Sequence, residues 1–247
     1  MNNNRISKSR INSYVNYLPS YSPKYIDYLV EQGRITEDLS VADIGAGAGI
    51  LSRLIATHVK RVLAVEPDEN MRQAAKVYCQ DTENITFICG TAETTGLDSD
   101  SVDLITTGQA FHYFHIDETL KEFKRILKSE GKVAIAWHRR ATDYPFGQEF
   151  EALLRQYCPD YKGTTGAKWP AGQFYKKGVF EYRTFTNNRS IDLETLMGYA
   201  LSMPFSPVKS APCFSGFVEN LTAIYDKHAD HGKLELRALI ESYIGEI

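Results

Sequence analysis

The stretch Val41-Ala42-Asp43-Ile44-Gly45-Ala46-Gly47-Ala48-Gly49-Ile50-Leu51 constrains the fold more than any other part of the chain. A short apolar run ends in an acid, three glycines follow at alternate positions, and Leu51-Ser52-Arg53-Leu54-Ile55-Ala56 then has helical spacing. The pattern predicts a strand, a tight glycine turn and a helix. Glycine accepts positive φ and puts no Cβ between main chain and ligand, so a nucleotide-like molecule can lie against such a loop. The helix start adds unpaired N–H groups facing the same place. Close helix–strand packing would also select glycine, so the loop alone does not fix a function.

The glycine spacing narrows the ligand. A dinucleotide-binding turn needs its third glycine where this chain has Ile50, and an acid about 20 residues on. Here Glu66 ends the next apolar run, Arg61-Val62-Leu63-Ala64-Val65. A carboxylate there can accept two hydrogen bonds from a ribose diol. The competing reading of Glu66 is a surface acid capping the following helix. Met71, in that helix, can pack on a purine face or simply on the core.

Strands are expected at 39–44, 61–66, 85–89, 102–106 and 132–137, the last after a turn at Ser129-Glu130-Gly131. Helices are expected at 49–58, 69–80 and 117–127, and before them from Pro23 to a stop at Gly33. Apolar runs covered on both faces, alternating with helices, predict a doubly wound α/β fold with ligands at the carboxyl ends of the strands. Beyond Trp137 the pattern loosens. Helices are expected at 146–157, 192–202 and 214–229, and strands at 180–185 and 234–247.

The 247 residues carry a formal net charge of −3 with both signs interspersed, which predicts neither a nucleic-acid backbone nor an anionic membrane as partner. Lacking a secretory leader or an apolar run long enough to span a bilayer, the chain is expected in the cytoplasm. Its four cysteines are far apart and are expected to be reduced thiols. The pairs His112/His115 and His228/His231 lack a third ligand of clear type, so no metal is expected.

After the third expected strand comes Gly90-Thr91-Ala92-Glu93, then Ser101-Val102-Asp103-Leu104, then Gln109-Ala110-Phe111-His112-Tyr113-Phe114. With the acid-x-Gly-x-Gly-x-Gly turn, this series resembles the class I S-adenosylmethionine-dependent methyltransferases, and within them the small-molecule branch that includes trans-aconitate methyltransferase-like proteins. The resemblance runs from about Tyr14 to the C-terminus. It implies one methyltransferase domain on a mostly parallel seven-stranded, Rossmann-like sheet with helical lid insertions. Residues 1–35 would be a flap and helix, 36–140 the cofactor-binding core, 141–230 a lid and substrate-selecting region, and 231–247 the final strand.

The resemblance further implies S-adenosyl-L-methionine as cofactor. Asp43, Gly45, Ala46, Gly47 and Gly49 would hold its methionine part, Glu66 its ribose, and Ala92 with Glu93 the adenine edge. Gln109 would sit near the sulfonium, and His112 and Tyr113 would face a small-molecule methyl acceptor. Two positions depart from the family: Tyr113 stands where Trp is usual, and Leu18 where related chains often carry Arg, which weakens the case for an anionic acceptor.

Residues expected to wall the acceptor are Tyr17 and Tyr21 of the proline-interleaved flap, with Trp169, Met203 and Phe205 of the lid region. His112 and His138 are the candidate general bases for an amine or hydroxyl acceptor. Arg139 and Arg140 beside His138 either bind an acceptor anion or form a solvated charge run. Two other readings stay open: a protein that binds the cofactor without turnover, and a nicotinamide-dependent enzyme on a related sheet.

Overall fold

A computed structural model of the chain describes residues 17, 19–163 and 171–247. Leu18 and Trp169 lie outside the described residues. The described residues form two units, one of Ser20–His138, 171–185 and Ile240–Ile247, the other of 17, 19, 139–163 and Thr186–Leu239.

In the first unit α1 (Pro23–Gln32) starts with proline in its first turn, where the missing N–H costs nothing. It buries Tyr25, Ile26, Tyr28 and Leu29, and its end is tied by the Gly33 N–H to Leu29 O at 2.8 Å. The glycine motif gives β1 (Ser40–Ile44), with every residue buried, and α2 (Ile50–Ala56). Then follow β2 (Arg61–Val65), α3 (Glu69–Tyr78), β3 (Ile85–Ile88), β4 (Val102–Gly108) and α4 (Ile116–Ile126). The next strand, β5 (Leu127–Arg140), is longer than its apolar run. Its partners show why: Val102 pairs with Leu127 but Leu104 with Lys132, so the expected turn at 129–131 is a bulge inside the strand, with Glu130 at φ 65°.

Pairing is parallel for β1–β2, β2–β3, β1–β4 and β4–β5. Beyond β5 come α5 (Pro145–Tyr157), α6 (Ala171–Phe174), β6 (Glu181–Thr186), β7 (Arg189–Ile191), α7 (Leu193–Ser202), α8 (Phe214–His228), β8 (Leu234–Leu236) and β9 (Ala238–Gly245). The seven-stranded sheet runs β3-β2-β1-β4-β5-β9-β6. Side-chain alternation sends Val41, Leu104 and Ala134 to one core and Ala42, Ile105 and Val133 to another. Helices α1 and α2 contribute to the first core, and α4 contributes Phe123 and Ile126 to the second. The doubly wound expectation therefore holds.

The 234–247 segment is not one strand. It divides at Arg237, with β8 pairing antiparallel to β7 in a separate two-stranded sheet. Three-residue strands carry too little periodicity to stand out in a sequence. The second unit is built on Phe146, Phe150, Leu154, Leu196, Phe217 and Leu221, from the helices that contribute α5, α7 and α8. Among the described residues no helix is long and apolar enough to cross a membrane.

Gly49 links loop to fold. It caps α2 at φ 79°, and a Cβ there would stand 2.9 Å from Cys79 Sγ and 3.3 Å from Ala75 Cβ of α3. Gly49→Ala is expected to cost about 2–4 kcal/mol in urea unfolding, from the left-handed conformation together with overpacking. Adding Cys79→Ala should recover the packing share, giving a non-additive double-mutant cycle.

Candidate active site at the carboxyl ends of β1, β2 and β4

The strand order reverses between β1 and β4, and at such a switch point the loops diverge and leave a crevice. The glycine loop occupies it. The Gly45 and Ala46 N–H groups both donate to Val65 O, at 2.8 and 3.1 Å, and the Gly49 N–H to Ala46 O at 2.9 Å. Gly47, at φ 56°, is the glycine that faces outward: a Cβ built there would meet nothing within 4 Å. That face is where a ligand can approach the main chain.

Asp43 lies beneath the loop, 1% exposed. Its Oδ2 accepts from Ser52 Oγ at 2.5 Å and its Oδ1 from Thr106 Oγ1 at 3.0 Å, so the carboxylate joins β1 to α2 and β4. Burial pushes its pKa up to about 6, against the lowering effect of these hydrogen bonds. Ser52 and Thr106 were not singled out from sequence; a polar residue inside an apolar helical stretch was the available signal for Ser52.

Glu66 is also buried. Its Oε2 accepts from the Gly47 N–H and its Oε1 from the Asp68 N–H, both at 2.9 Å. Desolvation raises its pKa, opposed by those two hydrogen bonds. The helix after it is capped by Asp68, whose Oδ1 accepts from the Met71 N–H at 3.0 Å. The capping reading of Glu66 therefore fails, and the acid is instead the partner of the outward-facing glycine. Arg72 steadies this turn by donating to the carbonyls of Glu66 and Pro67, each at 2.7 Å.

Two further loops complete the rim. Ala92 and Met71 are buried, and Glu93 Oε1 accepts from the His115 N–H at 2.9 Å, tying the loop after β3 to the one after β4. Gln109 holds φ 62°, rare for a residue with a Cβ, while its N–H donates to Ala136 O at 2.9 Å. Its side-chain Nε2 is buried and has no hydrogen-bond partner among the described residues. An orphaned buried donor costs about 1–3 kcal/mol, which an oxygen of a bound ligand would restore. Strain and an unmet donor coincide at this one position, which makes it a candidate site residue.

Tyr21 is a buried, packed side chain. Its ring lies 4.6 Å from His138 and 5.4 Å from Tyr25, and its hydroxyl covers Gly108 where no Cβ would fit. His112 and Tyr113 sit in a one-turn 3-10 helix, Phe111–Tyr113, with ring centroids 4.0 Å apart. Tyr113 is 71% exposed. His112 is exposed as well, yet partial desolvation lowers its pKa, which favours the neutral imidazole.

Tyr17, Met203 and Phe205 belong to the second unit. Tyr17 Oη donates to Glu194 Oε1 at 3.2 Å, Met203 Sδ lies 3.9 Å from Arg140 Nη1, and the Phe205 ring is 4.8 Å from Tyr161. Arg140 is not part of a solvated run: its side chain is 15% exposed and 3.5 Å from Glu151 Oε2.

A doubly wound sheet with an open glycine loop, an acid ending β2 and an unmet donor after β4 defines a nucleotide-cofactor site. A family model described as a methyltransferase domain matches residues 42–135. An uncharacterised methyltransferase of Mycobacterium tuberculosis is 30% identical over 79% of this chain and 78% of its own length. One from Schizosaccharomyces pombe is 33% identical over 62% of this chain, a match spanning 60% of that relative. The crystal structure of the YcgJ protein of Bacillus subtilis shares the fold, with a TM-score of 0.57 at 20% identity over 92% of this chain and all of that one. The chain belongs to the class I S-adenosylmethionine-dependent methyltransferases, and S-adenosylmethionine is the cofactor this membership implies.

The Asp43 shift has a direct consequence for stability. Its folded pKa of about 6 lies above the ordinary 3.8, so in that window the folded chain binds more protons than the unfolded one. The group's contribution is fully present below the unfolded value and is lost as pH rises through about 6. Chemical unfolding of the wild type between pH 4 and 7 should show this decline, and Asp43→Asn should flatten it.

Proposed function

We propose that this chain transfers the methyl group of S-adenosylmethionine to a small organic acceptor in the cytoplasm, by direct displacement at the sulfonium-bound carbon. The observation that carries the reading is the grouping of Gly47's open face, the Glu66 carboxylate and Gln109's unmet donor at adjoining strand ends. The loop from Gly45 to Gly49 and Glu66 would hold the methionine and ribose parts, and Met71, Ala92 and Glu93 the adenine. Asp43 serves from below, by fixing the loop. The cofactor supplies a methyl carbon already activated by positive sulfur.

The chain's own work is alignment and exclusion of water, which can lower the barrier by roughly 7–11 kcal/mol when the geometry is right. Tyr21, packed on His138 over Gly108, would present a rigid aromatic wall beside the reacting centre. His112, neutral at pH 7, can take a proton from an amine or hydroxyl acceptor, an effect worth about 10²- to 10⁴-fold. His138 is the second candidate base, and Tyr113 an exposed acceptor contact. Tyr17 of the flap and Trp169, Met203 and Phe205 of the lid region remain proposed acceptor contacts.

Calorimetric titration with S-adenosylhomocysteine, and separately with NAD, tests the cofactor. Wild type should bind the first alone, and Glu66→Ala should weaken binding at least tenfold without loss of fold, as about 1.5–3 kcal/mol per charged hydrogen bond requires. Acceptor-dependent release of S-adenosylhomocysteine tests turnover. Binding with no turnover across small carboxylates, amines and phenols would turn the reading to a protein that senses the cofactor, and NAD binding would overturn it. Gln109→Gly should keep stability within about 1 kcal/mol, since relieved strain offsets backbone entropy, yet lose affinity for the homocysteine product.

A further inference from the structure

The loop after β3 is tied to the chain around α4 at two points. It is first closed on itself: the Thr91 N–H donates to Thr94 O at 3.0 Å and the Thr94 N–H to Thr91 O at 3.3 Å. Farther on, Glu122 of α4 accepts from the Thr95 N–H at 2.9 Å and from Thr95 Oγ1 at 2.5 Å, and is itself held by Arg125 at 2.7 Å. The other tie is Glu93 Oε1, which accepts at 2.9 Å from the N–H of His115, the residue just before α4. Desolvation raises the pKa of Glu93, but hydrogen bonds from His115 and Thr91 outweigh it and hold the carboxyl below its ordinary range. The His115 bond is therefore charge-assisted at neutral pH, stronger than a neutral one.

His112 and Tyr113 lie immediately before that tie. Their turn is closed by the Tyr113 N–H to Ala110 O at 2.9 Å and the Phe114 N–H to Phe111 O at 3.1 Å. Phe111 packs edge-on against Trp137 and Phe174, at 6.2 and 5.0 Å between ring centroids. The flanks of the turn meet the glycine loop: a Cβ on Gly45 would stand 2.5 Å from Ala110 Cβ and 3.2 Å from the Phe114 ring. The turn is thus held by packing at its start and by the Glu93 carboxylate at its exit.

We propose that Glu93 is a positioning residue: through the His115 N–H it makes occupancy of the cofactor site set the order of the turn that carries His112 and Tyr113. The inference rests on the placement of Ala92 and Glu93 beside the adenine. A ligand seated there restricts the loop, and the restriction passes through one hydrogen bond to the chain entering α4. By linkage the reverse holds, so loosening the turn weakens cofactor binding by the same factor. Methyl transfer depends on alignment, and this tie fixes the acceptor-side residues when the methyl donor is in place.

Hydrogen exchange of the full chain, followed by mass spectrometry over residues 111–116 with and without saturating S-adenosylhomocysteine, tests the coupling. In wild type, saturation should slow exchange of these amides about tenfold, the scale of one charge-assisted hydrogen bond. Glu93→Ala should speed their exchange in the unliganded chain and abolish the slowing at full occupancy, while residues 120–126 of α4 exchange as in wild type. Glu93→Gln keeps an oxygen for the His115 N–H and should keep most of the slowing. Slowing that survives Glu93→Ala would come from direct contact with the ligand and would overturn the proposal. Binding with no slowing in wild type would overturn it while leaving the adenine placement standing, and absence of binding would overturn both.

Discussion

The buried carboxylate of Asp43 is the interaction on which the arrangement of the site depends. Its two oxygens hold Ser52 of α2 and Thr106 of β4, so the strand before the glycine loop, the helix after it and the strand across the switch point share one anchor. A carboxyl group 1% exposed is tolerable because both oxygens are hydrogen-bonded. The cost of that burial appears as a raised pKa, not as a broken loop. With the loop fixed from below, its upper surface can stay open without collapsing.

On that support the glycines divide their tasks. Gly49 lets α3 approach through Cys79 and Ala75, while Gly47 keeps the ligand side clear and presents its N–H to Glu66. The acid is held by two main-chain donors, which spend one lone pair on each oxygen and leave others for a ligand. Across the switch point Gln109 is the complementary case, a strained residue with a donor that no described residue accepts from. Local strain and unmet polarity there are stabilised by the surrounding sheet, through the bond from Gln109 N–H to Ala136 O.

The second unit follows a different logic. Its core is aromatic and aliphatic, and Arg140 is held against it by Phe150, Tyr161 and Glu151, with Met203 and Phe205 at the margin.

The sequence by itself determined the doubly wound sheet, the glycine loop and the presence of an acid at the end of the next strand. Those features are local: an apolar run, glycine at a left-handed position, and an acid at a strand end each declare themselves within a few residues. Tertiary structure alone decided that Glu66 reaches Gly47 while Asp68 caps the helix, that the expected turn at Ser129-Glu130-Gly131 is a bulge, and that residues 234–247 divide between two sheets. It also decided that Tyr21 packs on His138, and that Arg140 lies over Phe150 and Tyr161 beside Glu151. These contacts join residues far apart in the chain, and their identity depends on strand pairing and burial, which no short stretch of sequence encodes.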